Sequence, residues 1–217
     1  MATTTAHAIK PLHSYPEEYL PESDGKPMAE TDLHREQMIY LLEALNEYFR
    51  SDPQVYVTGN IFLYYLDENG ERQSVSPDVF VVRGVEKKTR RIYKIDDEGK
   101  APDVVFELTS HKTKVEDFGT KRFIYATLGV SEYYLFDPYG EALQPPLRGY
   151  RLEGGDYVPM VGSRLRSEKL GIDLVVEDRW LRLYDRKTGE RLRTYGEAET
   201  EILRLRDEVA KLRKTKP

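Results

Sequence analysis

The stretch PDVVFELTS at residues 102–110 decides the fold. Residues 104–108 are apolar except for Glu107, and an apolar run of this length predicts a strand covered on both faces, at the centre of a sheet. An ionised carboxylate in such a strand is costly unless it is paired, hydrogen-bonded or bound to a cation. Glu107 is therefore a candidate functional residue, whereas we interpret Asp103 as an ordinary strand-end acid, solvated or bonded to neighbouring amides.

A second strand with an acid near its start precedes this one. Residues 76–82 read SPDVFVV and predict a strand that Asp78 opens. Its position alone leaves open whether Asp78 is functional or another strand-end acid. Two carboxylates on neighbouring strands, with a backbone carbonyl such as that of Leu108 between them, would form the all-oxygen site that Mg²⁺ prefers. Such a site can polarise a phosphodiester and deprotonate a water.

Further strands are predicted upstream of Asp78. The β-branched and aromatic residues at 55–57 and 61–66 predict two strand pieces, with a bulge at the Gly-Asn pair of residues 59–60. The Asn-Gly pair at residues 69–70 predicts a tight hairpin turn.

Helices are predicted on both sides of these strands. The first begins after Thr31 or Asp32, either of which can cap the free amides of the first turn, and its apolar stripe runs to about Phe49. The second spans about residues 115–128 and ends at Gly129.

The rest of the chain adds strands and a last helix. Residues 133–136 predict a short buried strand, and residues 149–157 and 174–183 predict two hairpins. From Glu197 the tail is predicted to be helical, with an apolar coiled-coil seam about two heptads long. The seam consists of Ala198, Ile202, Leu205, Val209 and Leu212.

The predicted fold class is α/β. The element order is helix, hairpin, strand, central strand, helix and strand, followed by a C-terminal β extension and a terminal helix. The chain of 217 residues fits one sizeable domain with appendages. We predict an extended N-terminal arm at residues 1–30, a folded domain at 31–195 and a helical tail at 196–217.

Composition excludes several classes of function. The chain has no cysteine, which removes disulfides, thiolate zinc sites and cysteine nucleophiles. No apolar run is long enough to span a membrane and the N-terminus has no apolar signal core, so we expect a soluble cytoplasmic protein. The formal net charge of −5 at pH 7 argues against a basic nucleic-acid coat over the whole surface, although local basic patches remain compatible with it.

A lysine would complete the predicted metal site by stabilising negative charge on the phosphate. The expected position is two residues after Glu107, where Thr109 stands. In the following helix, Asp117, Lys121 and Tyr125 are spaced four residues apart and share one face. Spacing alone favours the plainer interpretation, a surface lysine that lies over the apolar stripe or pairs with Asp117.

Three blocks of the sequence together resemble the Uma2 family of restriction endonucleases, a branch of the PD-(D/E)xK nuclease superfamily. SPDVFVV at 76–82 resembles its first motif and PDVVFELTS at 102–110 its second. The segment from Asp117 to Tyr125, followed by LGVSEYYLFDP at 128–138, resembles its third block. His34, at the head of the first predicted helix, resembles a histidine that is common in the family. Tyr134 departs from the family by replacing its usual tryptophan.

The resemblance implies a restriction-endonuclease-like core and Mg²⁺-dependent hydrolysis of DNA phosphodiester bonds, with Mn²⁺ expected to substitute for Mg²⁺. It implies Asp78, Glu107 and Lys121 as catalytic residues, the lysine being displaced from the strand to the helix. Asp78, Glu107 and Leu108 would hold the metal. The auxiliary candidates are His34, Glu36, Asp117 and Tyr125, with Glu22 and Glu30 as further guesses for an N-terminal acid. A packed first-turn histidine is the plainer interpretation of His34.

Basic residues suggest where DNA phosphates would bind. The run from Arg83 to Lys94 contains most of the candidates, and each phosphate contact would add salt dependence to binding. The plainer interpretation is a solvated hairpin arm. The candidates are Arg83, Lys87, Lys88, Arg90, Arg91, Lys112 and Lys114.

The alternative to an enzyme is a non-catalytic module that binds nucleic acid or a protein through the same cleft.

A nuclease that cuts duplex DNA usually needs two sites, so we expect a homodimer. The short seam favours a dimer formed mainly by the folded domain and persisting after truncation at about Tyr195. We further expect Lys121→Ala to reduce cleavage while the melting temperature stays nearly unchanged.

Overall fold

The computed structural model describes residues 20–22, 31–111 and 113–215. Most of the predicted N-terminal arm, including Glu30, lies outside the described residues, as does Lys112. In chain order the elements are α1 (Asp32–Tyr48), β1 (Val55–Thr58), β2 (Leu63–Leu66), β3 (Arg72–Val75), β4 (Val79–Arg83), β5 (Tyr93–Lys94), α2 (Ile95–Glu98), β6 (Val104–Leu108), α3 (Lys114–Glu116), a π-helical turn (Asp117–Lys121), α4 (Arg122–Thr127), β7 (Glu132–Phe136), β8 (Leu147–Glu153), β9 (Asp156–Pro159), β10 (Arg164–Ser167), β11 (Ile172–Glu177), β12 (Trp180–Asp185) and α5 (Tyr195–Thr215).

A mixed sheet with the strand order β1-β4-β6-β7-β8-β9 forms the centre of the molecule. Strand β6 is antiparallel to β4 and parallel to β7, and all its residues are buried. Its central position is therefore confirmed. Val79 pairs with Phe106 across β4 and β6, so the start of β4 lies beside the end of β6. Continued by one pair, this register places Asp78 opposite Glu107 and within reach of the Leu108 amide.

Both faces of the central sheet are covered. Val104, Phe106 and Leu108 pack on one face in a core shared with α1 and β10–β12. Val105 packs on the other face, in a core that contains Tyr125 of α4 and residues of β2 and β5. Because successive strand residues point to opposite faces, Glu107 lies on the same face as Val105, toward α4.

The first helix begins where the sequence predicts. The side chain of Thr31 accepts a hydrogen bond from the His34 amide at 3.3 Å, so Thr31 is the N-cap of α1. The helix also docks on the C-terminal extension, because buried Gln37 exchanges two hydrogen bonds with the backbone of Leu181. The sequence suggested no reason for this buried glutamine.

The predicted bulge at residues 59–60 is a crossing between two sheets. Here the chain leaves β1 and enters a small separate sheet with the order β3-β2-β5. Asn60 has a φ of 56° and Gly59 passes directly against the backbone of Asp78. The turn predicted at residues 69–70 is confirmed, since Gly70 has a φ of 77° between the antiparallel strands β2 and β3.

The second predicted helix is confirmed but is not regular. It runs through α3, the π-helical turn and α4, and Gly129 follows it with a φ of 80°. A π-helical turn inserts an extra residue into the helix, and such turns are frequent at functional sites. The sequence pattern did not predict it.

The predicted C-terminal β extension divides into two parts. Strands β8 and β9 form the hairpin expected at 149–157 and continue the central sheet. Strands β10, β11 and β12 form a separate antiparallel sheet, in which β10 was not predicted. The last helix, α5, confirms the helical tail. Within the part of the chain that the structure describes, no helix is long and apolar enough to cross a membrane.

Candidate active site

The start of β4 and the end of β6 bring Asp78 and Glu107 to one end of the central sheet. The Leu108 amide donates a hydrogen bond of 2.6 Å to Asp78 Oδ2, which ties the side chain of one strand to the backbone of the other. The sequence placed both acids in apolar strands, and the strand register explains how they meet.

Both carboxylate oxygens of Glu107 have partners although the residue is buried. The Tyr125 hydroxyl donates to Oε1 at 2.6 Å, and Lys121 Nζ lies 2.9 Å from Oε2. Burial raises the pKa of Glu107 well above its ordinary value, and the charges of Asp78 and Asp117 add to this against the opposing charge of Lys121. A bound cation would favour the ionised form.

Lys121 lies between two buried carboxylates. Its Nζ is 3.3 Å from Asp117 Oδ1 in addition to its contact with Glu107, and its side chain is only 13% exposed. Burial alone would lower the pKa of Lys121, but the charges of Glu107, Asp117 and Asp78 raise it, so the amine is protonated. The burial of Lys121 contradicts its interpretation as a surface lysine, whereas the pairing with Asp117 that was offered with that interpretation is confirmed. These contacts also argue against the expectation that its removal leaves stability unchanged.

Thr109 stands at the position where a lysine was expected, and it acts on Lys121 through Asp117. Its hydroxyl donates to Asp117 Oδ2 at 3.0 Å, and the Tyr133 hydroxyl donates to the Asp117 carbonyl at 2.8 Å. Burial also raises the pKa of Asp117. Asp117 is thus held by the sheet and in turn holds Lys121.

His34 reaches the same site from the first turn of α1. Its Nε2 lies 3.9 Å from Asp78 Oδ1, and its side chain is 16% exposed. Burial opposes ionisation of Asp78, but the interaction with His34, the charge of Lys121 and the Leu108 amide outweigh it and lower the pKa of Asp78. His34 is therefore both a packed first-turn histidine and a neighbour of the cleft.

A cavity of about 590 Å³ opens onto these side chains. The loops after β6 and β7 form much of its wall, including Ser110, His111, Tyr139 and Glu141. The sequence pattern did not indicate Tyr139 and Glu141, although the Asp-Pro pair at residues 137–138 marks the loop that contains them.

Glu36 and Glu22 lie outside this arrangement. The side chain of Glu36 is exposed and does not line the cavity. Glu22 forms an ion pair with Arg91 at 2.5 Å.

Most of the basic run lies away from the cavity. Arg83 is at the far end of β4 and pairs with Val55 of β1. Arg90 stacks on Tyr56 and forms an ion pair with Glu98 at 2.7 Å, so its guanidinium is engaged inside the fold. Lys87 and Lys88 are exposed beside Arg90, whereas exposed Lys114 follows Thr113 at the cavity wall.

The charges and ligands of the site fit a divalent cation. The carboxyl groups of Asp78, Glu107 and Asp117 meet here with Lys121 as their buried cation. A second cation would favour the ionised forms of Glu107 and Asp117, which burial opposes. Among the described residues, no three His, Cys, Asp or Glu side chains are grouped to hold a metal by themselves. Mg²⁺ needs only one or two carboxylates when waters and substrate phosphate complete its shell, and Asp78 and Glu107 meet that requirement.

Comparisons with known proteins agree with this architecture. A family model, Uma2, described as "Putative restriction endonuclease", matches residues 14–192. The fold is similar to the crystal structure of "a putative nuclease belonging to DUF820" from Anabaena variabilis ATCC 29413, with a TM-score of 0.50 and 16% sequence identity. That match covers 70% of this chain and 86% of the other. The search of curated proteins finds no match.

Proposed function

Because the chain belongs to the Uma2 family, described as "Putative restriction endonuclease", we propose that it is a Mg²⁺-dependent endonuclease that hydrolyses phosphodiester bonds of DNA. The observation that supports this proposal best is the meeting of Asp78, Glu107 and Lys121 at one cavity. Two carboxylates and an ammonium group are the side chains that metal-assisted phosphodiester hydrolysis requires.

In this proposal Asp78, Glu107 and the backbone carbonyl of Leu108 would hold the cation. When bound there, Mg²⁺, or Mn²⁺ in its place, would supply Lewis acidity toward the phosphate that is cleaved. The Leu108 amide orients Asp78, and the Tyr125 hydroxyl orients Glu107. Both acceptors are thereby placed before substrate arrives, which reduces the reorganisation needed during the reaction.

Lys121 is the proposed stabiliser of negative charge on the reacting phosphate. The raised pKa of its amine keeps it positively charged at neutral pH. Asp117 and Thr109 are positioning residues in this account, since Asp117 contacts Lys121 and Thr109 in turn holds Asp117. His34 lies beside Asp78 and helps to keep its carboxyl group ionised.

DNA binding is part of the same proposal. Lys114 would contact phosphates near the cavity. Arg83, Lys87, Lys88 and Arg91 would contact phosphates farther along. Arg83 comes five residues after Asp78 along β4, a distance of roughly 16 Å. The internal contacts of Arg90 make it the weakest candidate of the run.

Metal binding tests the proposal directly. In the metal-free protein the carboxylates of the site repel each other. Millimolar Mn²⁺ or Mg²⁺ should therefore raise the melting temperature of the protein. Asp78→Asn and Glu107→Gln should each abolish that rise and the heat of Mn²⁺ binding in isothermal titration. Asp103→Asn is the matched control, because Asp103 is a buried acid at the other end of β6 that bonds the Arg83 amide.

Nuclease assays on several forms of DNA then separate the two candidate functions. Cleavage that requires the metal and is lost in Asp78→Asn supports the enzyme. An unchanged metal response in both site variants would contradict the site assignment. Stabilisation by DNA without any response to Mn²⁺, and without cleavage, would favour the non-catalytic binding module.

A further inference from the structure

From Ile202 onward, the last helix, α5, exposes an apolar seam. Side chains from Ile202 to Lys211 are all exposed, and Ile202, Leu205 and Val209 are between 45% and 49% exposed. A short helix without tertiary packing is marginal in water, because nucleation is unfavourable and each further residue adds little. An apolar seam on such a helix is stabilised when another helix covers it.

The start of α5 is fixed to the folded domain. Thr194 and Glu197 form a capping box, in which the Thr194 amide donates to Glu197 Oε2 at 2.9 Å and the Glu197 amide donates to Thr194 Oγ1 at 3.3 Å. Glu197 also pairs with Arg191 at 2.9 Å, and the Arg50 guanidinium lies over the ring of Tyr195. The helix therefore leaves the domain in a defined direction and extends roughly 20 Å beyond Ile202.

The residue types of the seam indicate a particular partner geometry. In heptad notation Ile202 and Val209 occupy a positions, whereas Leu205 and Leu212 occupy d positions. In parallel coiled coils, β-branched residues at a together with leucine at d favour two helices over three or four. A helix that pairs with α5 in this way is expected to have the same residue types at its own a and d positions.

The charges beside the seam agree with a second copy of the same helix. Glu201 occupies a g position and Arg206 the e position five residues later, and the sequence repeats this pair at Glu208 and Arg213. In a parallel pair each g residue faces the following e residue of the other helix, so glutamate meets arginine. In an antiparallel pair g would face g and e would face e, which places like charges together.

We propose that two copies of this chain associate through a parallel two-stranded coiled coil formed by residues 201–215 of α5. Arg204, at a c position outside the seam, bonds Glu201 and Glu208 within its own helix at 2.8 and 3.3 Å. These pairs support the helix before association. The proposal assigns association to the tail, where the sequence alone favoured the folded domain, and it does not depend on nuclease activity.

Charge exchange in the full-length chain tests this pairing. One variant has Arg206→Glu with Arg213→Glu, and the other has Glu201→Lys with Glu208→Lys. Each variant alone places like charges across the seam, and its dimer dissociation constant in sedimentation equilibrium should rise about tenfold or more. Mixed in equal amounts, the two variants should form a heterodimer. Lys211→Glu with Lys214→Glu makes the same change of charge outside the seam and should leave the dissociation constant unchanged.

A disulfide tests the parallel orientation. The chain has no cysteine, so Leu212→Cys introduces one thiol per copy. Equivalent d positions face each other in a parallel pair, and mild oxidation should crosslink the full-length variant. A parent chain that stays monomeric at high concentration would overturn the proposal. Charge variants that dimerise as the parent does, or a Leu212→Cys variant that does not crosslink, would also overturn it.

Discussion

At Lys121 one ammonium group lies against two buried carboxylates, those of Glu107 and Asp117. Removing one partner of a buried ion pair is strongly destabilising, because the remaining charge loses its compensation. The same lysine is the proposed stabiliser of the reacting phosphate. Stability and activity therefore depend on one side chain, and the two contributions need separate measurements.

Lys121→Met should lower the free energy of unfolding by about 3–5 kcal/mol at pH 8. Burial already raises the pKa of Glu107 and of Asp117, and loss of Lys121 raises both further. A carboxyl whose pKa is higher in the folded state stabilises the fold below its unfolded pKa of about 4, and this stability is lost as pH rises through the folded pKa. The deficit of the variant should therefore be small near pH 5 and largest at pH 8 in urea titrations.

Cleavage by Lys121→Met should fall about a hundredfold or more at a temperature where the variant is folded. Lys114→Met is the control for the stability measurement alone, since Lys114 is exposed and its loss should leave the free energy of unfolding unchanged. Full cleavage by the Lys121 variant, or a stability deficit independent of pH, would contradict the role given to this residue.

Among the elements, the crossing between β1 and β2 has a direct effect on the site. A Cβ atom at Gly59 would lie 1.9 Å from the Asp78 carbonyl oxygen and 3.1 Å from Val79 Cα. These neighbours are backbone atoms, so they cannot move aside as a flexible side chain would. Only glycine allows the chain to leave the central sheet at this point while Asp78 keeps its place.

Gly59→Ala should therefore displace the start of β4. We expect a loss of about 2–3 kcal/mol in the free energy of unfolding, typical of overpacking. We also expect weaker Mn²⁺ binding, because the displaced backbone is that of Asp78. Chemical denaturation and isothermal titration measure the two effects.

Gly119→Ala is the matched control for this substitution. Gly119 lies in the π-helical turn of the site helix, but nothing lies within 4 Å of its Cβ position. Alanine there should raise stability by about 0.5–1 kcal/mol, since it reduces the freedom of the unfolded chain, and metal binding should stay unchanged. Equal effects of the two substitutions would show that the close approach at Gly59 is unimportant.

At the scale of the whole molecule, the C-terminal extension and the central sheet are joined through Glu132. This buried carboxylate of β7 accepts hydrogen bonds from the hydroxyls of Tyr134 and Ser167 and from the amides of Glu168 and Lys169. Leucines of the extension share one core with α1. The extension is thus part of the folded domain and covers one face of its sheet.

Glu132→Ala should lower the free energy of unfolding by about 3–5 kcal/mol, because several buried donors lose their acceptor. Trp180 is the only tryptophan and lies in β12, where its ring meets Tyr40 of α1 edge-on at 6.2 Å. Its fluorescence reports the extension, and far-UV circular dichroism reports the whole chain. The two urea transitions should coincide in the parent and shift together in the variant.

Glu153→Ala, an exposed change at the end of β8, should leave both transitions in place. Separate transitions, in which fluorescence changes first and circular dichroism later, would show that the extension unfolds independently.

The sequence by itself determined the local elements and the types of the site residues. The apolar run at 104–108, the cap at Thr31, the turn at residues 69–70 and the stop at Gly129 each depend on neighbours within a few residues. The confirmed helices and strands follow from such local patterns. The acids inside apolar strands, Asp78 and Glu107, were identified for the same reason.

Only the tertiary structure decided how these parts meet. Three features depend on contacts between distant segments: the register that places Asp78 opposite Glu107, the position of β2 and β3 in a separate sheet, and the burial of Arg90 against Tyr56. The position of Lys121 between Glu107 and Asp117 likewise joins a helix to a strand. Hydrophobic periodicity reports which side of an element is buried, but not which element covers it, and the chemistry of this site arises from that pairing.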